Sequence, residues 1–377
     1  MALGTAFDAH NHVHLSIPKG ILPLSDHFHF HSKPIPLNVI NHAQSIRNSL
    51  HKPLIGGMAL MSTQPRDFPI VHHLSKALVV VLGTETEDDN DDDNKQDDVH
   101  SNPLQVIRCY GVHPWFLKQA KQDFQSIDYL DLEECTFAKT ALELAHASME
   151  DVPWLSYLTQ TLKADTQSHV GEIGLDSARF DPDTKDLVCP MEEQIIAFEV
   201  QMHIAAMLKR SVSIHVVRSW GPLMDALRRV KTSRMKLKKE QKMLRREQMK
   251  RNDNNIIVHE EDDILVLPPK IYWHAFGGKA AVVGQLDAIC RDYSETYFGF
   301  APVINFRSPK TIDLIREIGI NRLVLESDLE DHSEVLNDIE ANIDFISAAL
   351  DMKHQDVIDK TTQNAYNLYL RETKDDV

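Results

Sequence analysis

The stretch Asp8-Ala9-His10-Asn11-His12 follows a short apolar start and guides the interpretation of the whole chain. Side chains of an extended strand alternate between its two faces, so His10 and His12 point the same way and can bind one metal ion. Asp8 falls on that same face. The pattern predicts an active site at the carboxyl end of this strand. Alone it is weak, because the chain has 20 histidines and most exposed histidines only titrate.

Short apolar runs rich in β-forming residues recur along the 377 residues, and segments with helical spacing separate them. The predicted strands lie near Ala6–Val13, Leu54–Met61, Gln105–Gly111, His169–Ile173, Ser211–Val216, Lys270–Ala275, Glu295–Phe300 and Arg322–Glu326. The clearest predicted helices are Val39–Leu50, Met191–Lys209, Gly278–Arg291, Pro309–Ile318 and Glu334–Asp351. Strands that alternate with helices indicate a parallel sheet, and eight strands can close a barrel.

The predicted fold class is therefore α/β, a (β/α)8 TIM barrel with two charged insertions, and a doubly wound open sheet is the alternative. The candidate ligands described below come from strands spread along the whole chain. In a barrel all strand carboxyl ends face one rim, whereas an open sheet offers only the crevice at its switch point. This distribution favours the barrel.

We predict one domain over residues 1–377, interrupted by an acidic insertion (84–99) and a basic insertion (232–255). The net charge is −16, and Glu85–Asp98 supplies half of it, with nine acids against one base. Its composition predicts a disordered loop. The basic insertion favours helix without a clear apolar stripe, so we expect it to extend the preceding helix into solvent. The overall charge argues against broad coating of nucleic acid, but not against binding a strand end in a metal-filled cleft.

Histidines and acids end five of the predicted strands. They are His10, His12, Glu172, His215, His274, Glu326 and Asp328. Taken singly, each is more typical of a rim salt bridge or a hydrogen-bonded core histidine. Together they would converge on one rim, where imidazole and carboxylate ligands suit zinc, manganese or magnesium. A carboxylate between two histidine groups can bridge two ions about 3.5–4 Å apart, as in two-metal hydrolases.

Eight stretches carry a family resemblance. They read FDAHNH, GGMALMST, GVHPW, GEIGLD, SIHVVR, YWHAFGG, LVLESD and QNAYNLY, and they span most of the chain. In this order they resemble the TatD-type metal-dependent deoxyribonucleases, within the amidohydrolase-like barrels. The wording of GGMALMST and GVHPWF is similar to a eukaryotic TatD-like branch.

The resemblance implies roles for eight of the residues. His10 and His12 match the family's first metal pair, and Glu172 matches the acid that bridges two ions. The ligands of the second ion correspond to His215 and His274. Asp328 matches the last ligand, beside the attacking water, and with Glu172 forms the implied catalytic pair. Substrate binding is implied for His113 and for Arg218, whose guanidinium suits a phosphate or carboxylate.

The chain departs from the family pattern at two places. The family usually has a proline shortly after its last aspartate, where this chain has Leu329-Glu330-Asp331. Ser177 follows GEIGLD in place of the frequent aromatic residue. Both departures bear on the choice of substrate more than on metal binding.

We predict a hydrolase of phosphodiester bonds, a deoxyribonuclease that acts in the 3′-5′ direction on DNA strand ends. Two divalent ions (Mg, Mn or Zn) would activate its water. One alternative is a hydrolase of a small amide, lactone or phosphoester on the same barrel. A second is a TatD-like interaction protein without catalysis, in which the charged insertions dock partners. Trp115 and Phe116 can either stack on a base or cover the barrel.

The sequence also bears on location. No run of 18 apolar residues predicts a membrane span, and the first 16 residues do not resemble a signal peptide. The four cysteines are far apart in sequence, which suits buried thiols in a reducing compartment. We expect a cytoplasmic protein without a membrane partner. Lys236, Lys238 and Lys239 indicate a nuclear location as the alternative, although a solvated charged helix is the simpler interpretation.

Overall fold

The computed structural model describes residues 5–17, 31–50, 55–83, 104–125, 136–250 and 264–370. Within them, seven parallel strands form a sheet in the order of the chain. The strands are β1 (Ala6–Asn11), β2 (Ile55–Met61), β3 (Gln105–Tyr110), β4 (His169–Asp176), β5 (Val212–Val217), β6 (Lys270–Trp273) and β7 (Glu295–Phe298). The acidic insertion 84–99 and residues 251–255 of the basic insertion lie outside the described residues.

Helices alternate with these strands, as the sequence pattern predicts. They are α1 (Leu37–Ser49), α2 (Phe68–Gly83), α3 (Leu117–Gln125), α4 (Thr136–Ala145), α5 (Leu155–Ala164), α6 (Met191–Met207), α7 (Trp220–Lys250), α8 (Ala280–Cys290), α9 (Pro302–Asn305), α10 (Lys310–Ile318), α11 (Val335–Leu350) and α12 (His354–Tyr369). All five helices predicted from spacing are present, with bounds that move by up to two residues.

The eighth predicted strand, Arg322–Glu326, is wrong as an extended strand. Leu323 and Leu325 of this segment are isolated bridge residues, and Leu325 forms a parallel bridge with Asp8. Asparagine side chains from two helices donate hydrogen bonds to backbone carbonyls of this segment. Asn364 Nδ2 donates to Leu323 O at 2.7 Å, and Asn342 Nδ2 donates to the carbonyl of Glu326 at 3.0 Å. These side-chain bonds take the place of part of a regular ladder.

The chain forms two compact units. The first consists of Met1–Met61, Arg66–Arg108 and Gly299–Val377, and the second consists of Ser62–Pro65 and Cys109–Phe298. The strand β3 begins in the first unit and ends in the second. A single domain over 1–377 stays a prediction.

In the first unit, β1 is buried along its whole length, which is typical of a parallel strand covered on both faces. Phe7 packs against Tyr366 and Tyr369 of α12, with ring centroids 5.7 and 6.3 Å apart. The Tyr369 hydroxyl donates to Ala9 O at 2.9 Å. Burying the polar residues of β1 is unfavourable unless each has a partner, so the polar positions of this strand indicate a functional centre.

In the second unit, β4 is buried throughout, and two glutamines of α6 hold the backbone at strand ends. Gln194 Nε2 donates to Asp176 O at 3.0 Å, and Gln194 Oε1 accepts from Asp176 N at 2.7 Å. Gln201 makes the same pair of bonds with Val112, at 3.1 and 2.8 Å. Each amide side chain therefore fixes a strand end from which a candidate ligand projects.

The basic insertion continues α7 as far as Lys250. Arg234 is buried, and its Nε donates to Leu265 O at 2.7 Å. Beyond it the side chains emerge, and Met243 and Leu244 are more than half exposed. The helix α7 begins just after the carboxyl end of β5. Its 31 residues span about 46 Å, whereas the six extended residues of β5 span only about 20 Å, so α7 is more than twice as long as the strand that precedes it.

Three of the cysteines, Cys109, Cys189 and Cys290, are buried and free, which confirms the prediction of buried thiols for them. Burial raises the pKa of Cys189 and of Cys290 to about 12, so both stay protonated at neutral pH. Within the described parts of the chain, no helix combines the length and apolar character that crossing a bilayer requires.

Candidate metal centre

The predicted ligands divide between the two units. The first cluster, in the first unit, consists of His10, His12 and Asp328. The Nε2 atoms of the two histidines lie 3.2 Å apart, and each lies 3.6 Å from Asp328 Oδ1. His10 is fully buried, His12 is 7 % exposed, and the Asp328 side chain is 14 % exposed. Three ligand atoms thus face a common point at a nearly buried position.

The orientation of His12 follows from its other ring nitrogen. Nδ1 lies 2.9 Å from Met61 O, at the end of β2. A carbonyl oxygen can only accept, so Nδ1 carries the hydrogen and donates it. In the neutral ring the lone pair is then on Nε2, the atom that faces His10 and Asp328. Metal-binding histidines are commonly oriented by such a bond on the far nitrogen.

Asp328 is placed by a sharp turn and by Asp8. Its φ of 58° is left-handed, a conformation that costs a non-glycine residue about 1–3 kcal/mol and is frequent at active sites. Its backbone N donates to His10 O at 3.0 Å. The preceding Ser327 donates from Oγ to Asp8 Oδ2 at 2.7 Å and from its backbone N to Asp8 Oδ1 at 3.0 Å. Asp8 therefore anchors the turn that carries the ligand.

Asp8 itself is fully buried. Burial raises its pKa to about 7, although hydrogen bonds from Ser327, the His10 backbone and Asn11 act in the opposite direction. Asn11 Nδ2 donates to Asp8 Oδ2 at 3.3 Å. Strand alternation predicted that Asp8 shares a face with His10 and His12. In the structure the Asp8 carboxylate accepts hydrogen bonds from Ser327, in the turn before Asp328.

The second cluster, in the second unit, consists of His113, Glu172, His215 and His274. One oxygen, Glu172 Oε1, lies 2.7 Å from His274 Nε2, 3.1 Å from His215 Nδ1 and 3.5 Å from His113 Nε2. His215 Nδ1 and His274 Nε2 are 3.3 Å apart. Glu172 is only 3 % exposed. A single buried carboxylate oxygen therefore faces three imidazole rings.

His215 is oriented by Asp176, the last residue of β4. His215 Nε2 lies 3.1 Å from Asp176 Oδ2, and an ionised carboxylate only accepts, so Nε2 donates. This leaves Nδ1 directed at Glu172. Burial opposes the ionisation of Asp176, but hydrogen bonds from His215, the Ala178 backbone and Trp115 lower its pKa to about 2.

The carboxylates favour positive charge at this position. Burial lowers the pKa of His215, but its hydrogen bonds with Asp176 and Glu172 and their negative charges outweigh burial and raise that pKa to about 9. A divalent cation would satisfy the same carboxylates. Since ligand atoms of His113, Glu172 and His215 all lie within 4.8 Å of one another, the donor set fits a metal ion.

Two backbone features allow this packing. The loop after β2 binds two neighbouring segments, since Ser62 O accepts from Glu172 N at 2.9 Å and Thr63 O accepts from His113 N at 2.8 Å. At Gly174, where φ is 155°, a Cβ atom would lie 1.9 Å from His215 O. Only glycine fits there, which explains one glycine of the GEIGLD stretch.

The structure brings together seven of the predicted residues in two sets. Their roles as ligands and catalytic groups stay predictions. His113, predicted to contact substrate, is 3 % exposed and forms part of the second cluster. The eighth residue, Arg218, is exposed, and its backbone carbonyl accepts from Ser177 Oγ at 2.9 Å. Its predicted role in substrate binding also stays a prediction.

Sequence reasoning missed the residues that orient the ligands. They are Asp176, Trp115, Ser327, Ser62 and Thr63. The first two lie inside the GEIGLD and GVHPW stretches, so a polar residue at the very end of a strand was an available signal. The roles of Ser327 and Ser62 depend on contacts with segments far away in sequence, and local pattern carries no trace of them.

Three comparisons identify relatives. The family model described as TatD related DNase matches residues 26–370. The Cut9-interacting protein scn1 of Schizosaccharomyces pombe is 24% identical over 332 residues, which cover 80% of this chain and 94% of scn1.

Two solved structures share the fold. The crystal structure of a TatD family hydrolase from Entamoeba histolytica superposes with a TM-score of 0.53 at 12% identity and covers 98% of this chain and 99% of its own. YJJV, a TatD homolog from Escherichia coli K12, gives a TM-score of 0.53 at 16% identity and 97% coverage of both chains. At these identities the likeness shows the fold alone, and it confirms the predicted α/β fold class of the (β/α)8 type.

The family model covers nearly the whole chain, and the matched residues include the second cluster and Asp328, while His10 and His12 precede them. The chain therefore belongs to the TatD family of metal-dependent hydrolases.

Proposed function

We propose that the protein is a deoxyribonuclease that hydrolyses phosphodiester bonds at DNA strand ends, in the 3′-5′ direction, with two divalent ions. One ion would be held by the first cluster and one by the second. The observation that carries the proposal is the orientation of His12 and His215. Each donates a hydrogen bond from one ring nitrogen and directs the other at a carboxylate of its own cluster. Imidazoles held in this way are suited to a metal.

Bound ions would supply an activated water and neutralise charge on the scissile phosphate. The residues of the chain have distinct tasks around that chemistry. Asp328 accepts the proton of the attacking water, since its carboxylate is the most exposed ligand of the first cluster. Glu172 supplies negative charge to the second cluster, where it faces three imidazoles. Its bridging of two ions is implied by the family resemblance and stays part of the proposal.

The metal ions are proposed as magnesium, manganese or zinc, because the donor set mixes imidazole and carboxylate. The test is to purify the full chain without added ions and measure its metal content by atomic emission. Cleavage of 3′-labelled single-stranded DNA is then followed with Mg²⁺, Mn²⁺, Zn²⁺ or EDTA. We expect cleavage that EDTA abolishes and one of the ions restores. Cleavage that survives EDTA would refute the mechanism.

A small-molecule hydrolase is the second outcome that this test can return. The segment Leu329-Glu330-Asp331 follows Asp328 directly and adds two negative charges that a phosphodiester would meet. Turnover of a lactone or an amide in a substrate panel, with intact DNA in the same preparation, would select this alternative.

A partner-binding role is a candidate of a different class. Scn1 is named as a Cut9-interacting protein, and it is similar over 80% of this chain. The projecting end of α7 exposes the bases Lys239, Lys242 and Arg246 beside the apolar side chains Met243 and Leu244. Basic helices with exposed apolar side chains are suited to docking.

Charge reversal separates the two roles. In a variant with Lys239→Glu, Lys242→Glu and Arg246→Glu, we expect the rate of DNA cleavage to stay within twofold, while a partner captured by the wild-type chain is lost. A large fall in the cleavage rate would instead make this end of α7 a substrate contact.

We propose a cytoplasmic location, with the nucleus as the alternative, and fractionation of a tagged full chain tests it.

A further inference from the structure

Trp115 is the half-exposed aromatic residue beside the second cluster. It is 36% exposed, while Trp154 and Trp273 are almost fully buried. Its ring meets His113 edge to face, with centroids 4.9 Å apart, and lies 5.9 Å from the ring of His215. A large apolar ring thus borders buried candidate metal ligands and remains open to solvent, where it can contact a molecule that approaches those ligands.

Arg179 extends the same surface. Its guanidinium carbon lies 4.9 Å from the centroid of the Trp115 ring, within the range of a cation–π contact. Arg179 is exposed and lies in the loop that follows β4. A planar guanidinium held on an indole face keeps its N–H donors available to a phosphate.

Asp176 ties both residues to the cluster. Its Oδ2 accepts from Trp115 Nε1 at 2.8 Å and from His215 Nε2 at 3.1 Å. Its Oδ1 accepts from the backbone N of Ala178 at 2.6 Å and of Arg179 at 3.1 Å. One buried carboxylate therefore fixes the orientation of a candidate metal ligand, the indole ring and the start of the loop that carries the guanidinium.

We propose that Trp115 and Arg179 form a nucleotide subsite, in which an unpaired base stacks on the indole and the adjoining phosphate binds the guanidinium. The inference rests on the proposed nuclease function and names the substrate as single-stranded nucleic acid. Aromatic faces bind bases of any identity, whereas a base inside a duplex has both faces covered by its neighbours. A small lactone or amide would have no use for both a stacking surface and a cation.

The experiment compares two oligonucleotides that differ in one respect. Both are single-stranded and have the same sugar–phosphate backbone, but one carries tetrahydrofuran abasic residues at its last three 3′ positions. Stacking of one base contributes enough for a 5- to 150-fold difference, roughly, in KM. We expect the wild-type enzyme to show such a preference for the base-bearing strand. Trp115→Ala should abolish the preference, with the abasic strand cleaved as before.

Two further variants separate stacking from structural support. Trp115→Phe keeps an aromatic face but removes the donor to Asp176, so the preference should remain within about threefold of wild type. Arg179→Ala should raise KM for both strands equally and reduce the salt dependence of KM. The control is Arg228→Ala, an exposed arginine paired with Asp225 on α7, which should change neither strand. Equal losses on both strands for Trp115→Ala would overturn the stacking proposal.

Fluorescence keeps this result separate from the nuclease proposal. A base stacked on Trp115 should quench its emission, and the quenching should disappear in Trp115→Phe. If the wild-type chain cleaves neither strand but shows this quenching, the subsite stands and the nuclease proposal fails. If it cleaves both strands equally and Trp115→Ala behaves as wild type, the nuclease proposal stands and the subsite fails.

Discussion

The two clusters position similar histidine and carboxylate side chains in different ways. In the first cluster, His10 and His12 come from alternate positions of one strand, and backbone groups do much of the positioning through Met61 O and the turn at Asp328. In the second, each candidate ligand comes from a different strand or from the loop that follows it, and a buried carboxylate, Asp176, orients the imidazole of His215.

The relative positions of the side chains therefore depend on the sequence in two different ways: on one strand in the first cluster, and on the packing of several elements in the second. Ligands on one strand keep their relative positions whenever that strand forms, because alternation is a local property. Ligands on four elements meet only when the elements pack in register. The second cluster should therefore respond more strongly to changes in its carboxylates and in the packing around it.

The largest expected effect is that of Glu172→Gln. The amide removes the negative charge that faces three imidazoles, so we expect the metal of the second cluster to be lost. Activity should fall on the order of 10³-fold, the upper range for losing one charge-stabilising group. Metal content and cleavage rate measure both. Glu192→Gln, an exposed change on α6, is the control and should match wild type.

Asp328→Asn should come next. The amide cannot accept the proton of the attacking water, so we expect single-turnover cleavage to slow by about 10²-fold, the lower end of the range for a general base. The metal of the second cluster should stay bound, which distinguishes this variant from Glu172→Gln. Glu317→Gln, an exposed neutralisation on α10, serves as the control. Wild-type rates in Asp328→Asn would remove this residue from the mechanism.

Asp176→Asn tests the support of the second cluster. Carboxylates that orient a metal-binding histidine typically change affinity by about 10–100-fold when they are replaced. We expect a loss of that size in metal affinity, measured by competition with a chelator, together with a change in Trp115 emission. Asp183→Asn in the same loop is exposed and should change neither quantity. A metal affinity equal to that of wild type would show that His215 is held without Asp176.

A pair of glycine substitutions tests the packing beside His215 through the free energy of unfolding. Gly174→Ala would place a Cβ atom 1.9 Å from His215 O, and the backbone there cannot yield easily. We expect a loss of about 3 kcal/mol or more in the free energy of unfolding. At Gly284, inside α8, nothing lies within 4 Å of the added atom, and alanine should stabilise by about 0.5–1 kcal/mol. Denaturant unfolding measures both, and equal stabilities would contradict the close approach.

The sequence alone predicted seven strands and the five clearest helices to within a few residues. It succeeded because hydrophobic alternation and helical spacing are local, and because parallel strands bring their carboxyl ends to one side. It failed at Arg322–Glu326, where the side chains of Asn342 and Asn364 donate hydrogen bonds to backbone carbonyls that would pair with a neighbouring strand in a regular sheet. Such capture depends on helices that follow later in the chain, so strand propensity could not reveal it.

The sequence alone predicted the candidate ligands because each lies at the end of a strand with a recognisable apolar pattern. They are the His-x-His pair, the acid of GEIGLD and the single histidines that end apolar strands. Only the tertiary structure decided which ring nitrogen of His12 and of His215 faces the carboxylate of its cluster. The bond between Ser327 and Asp8 joins residues 319 positions apart, and that between His12 and Met61 joins residues 49 apart. Hydrogen bonds over such separations exist only after the elements have packed, because periodicity reports which face of an element is buried and not which partner it meets.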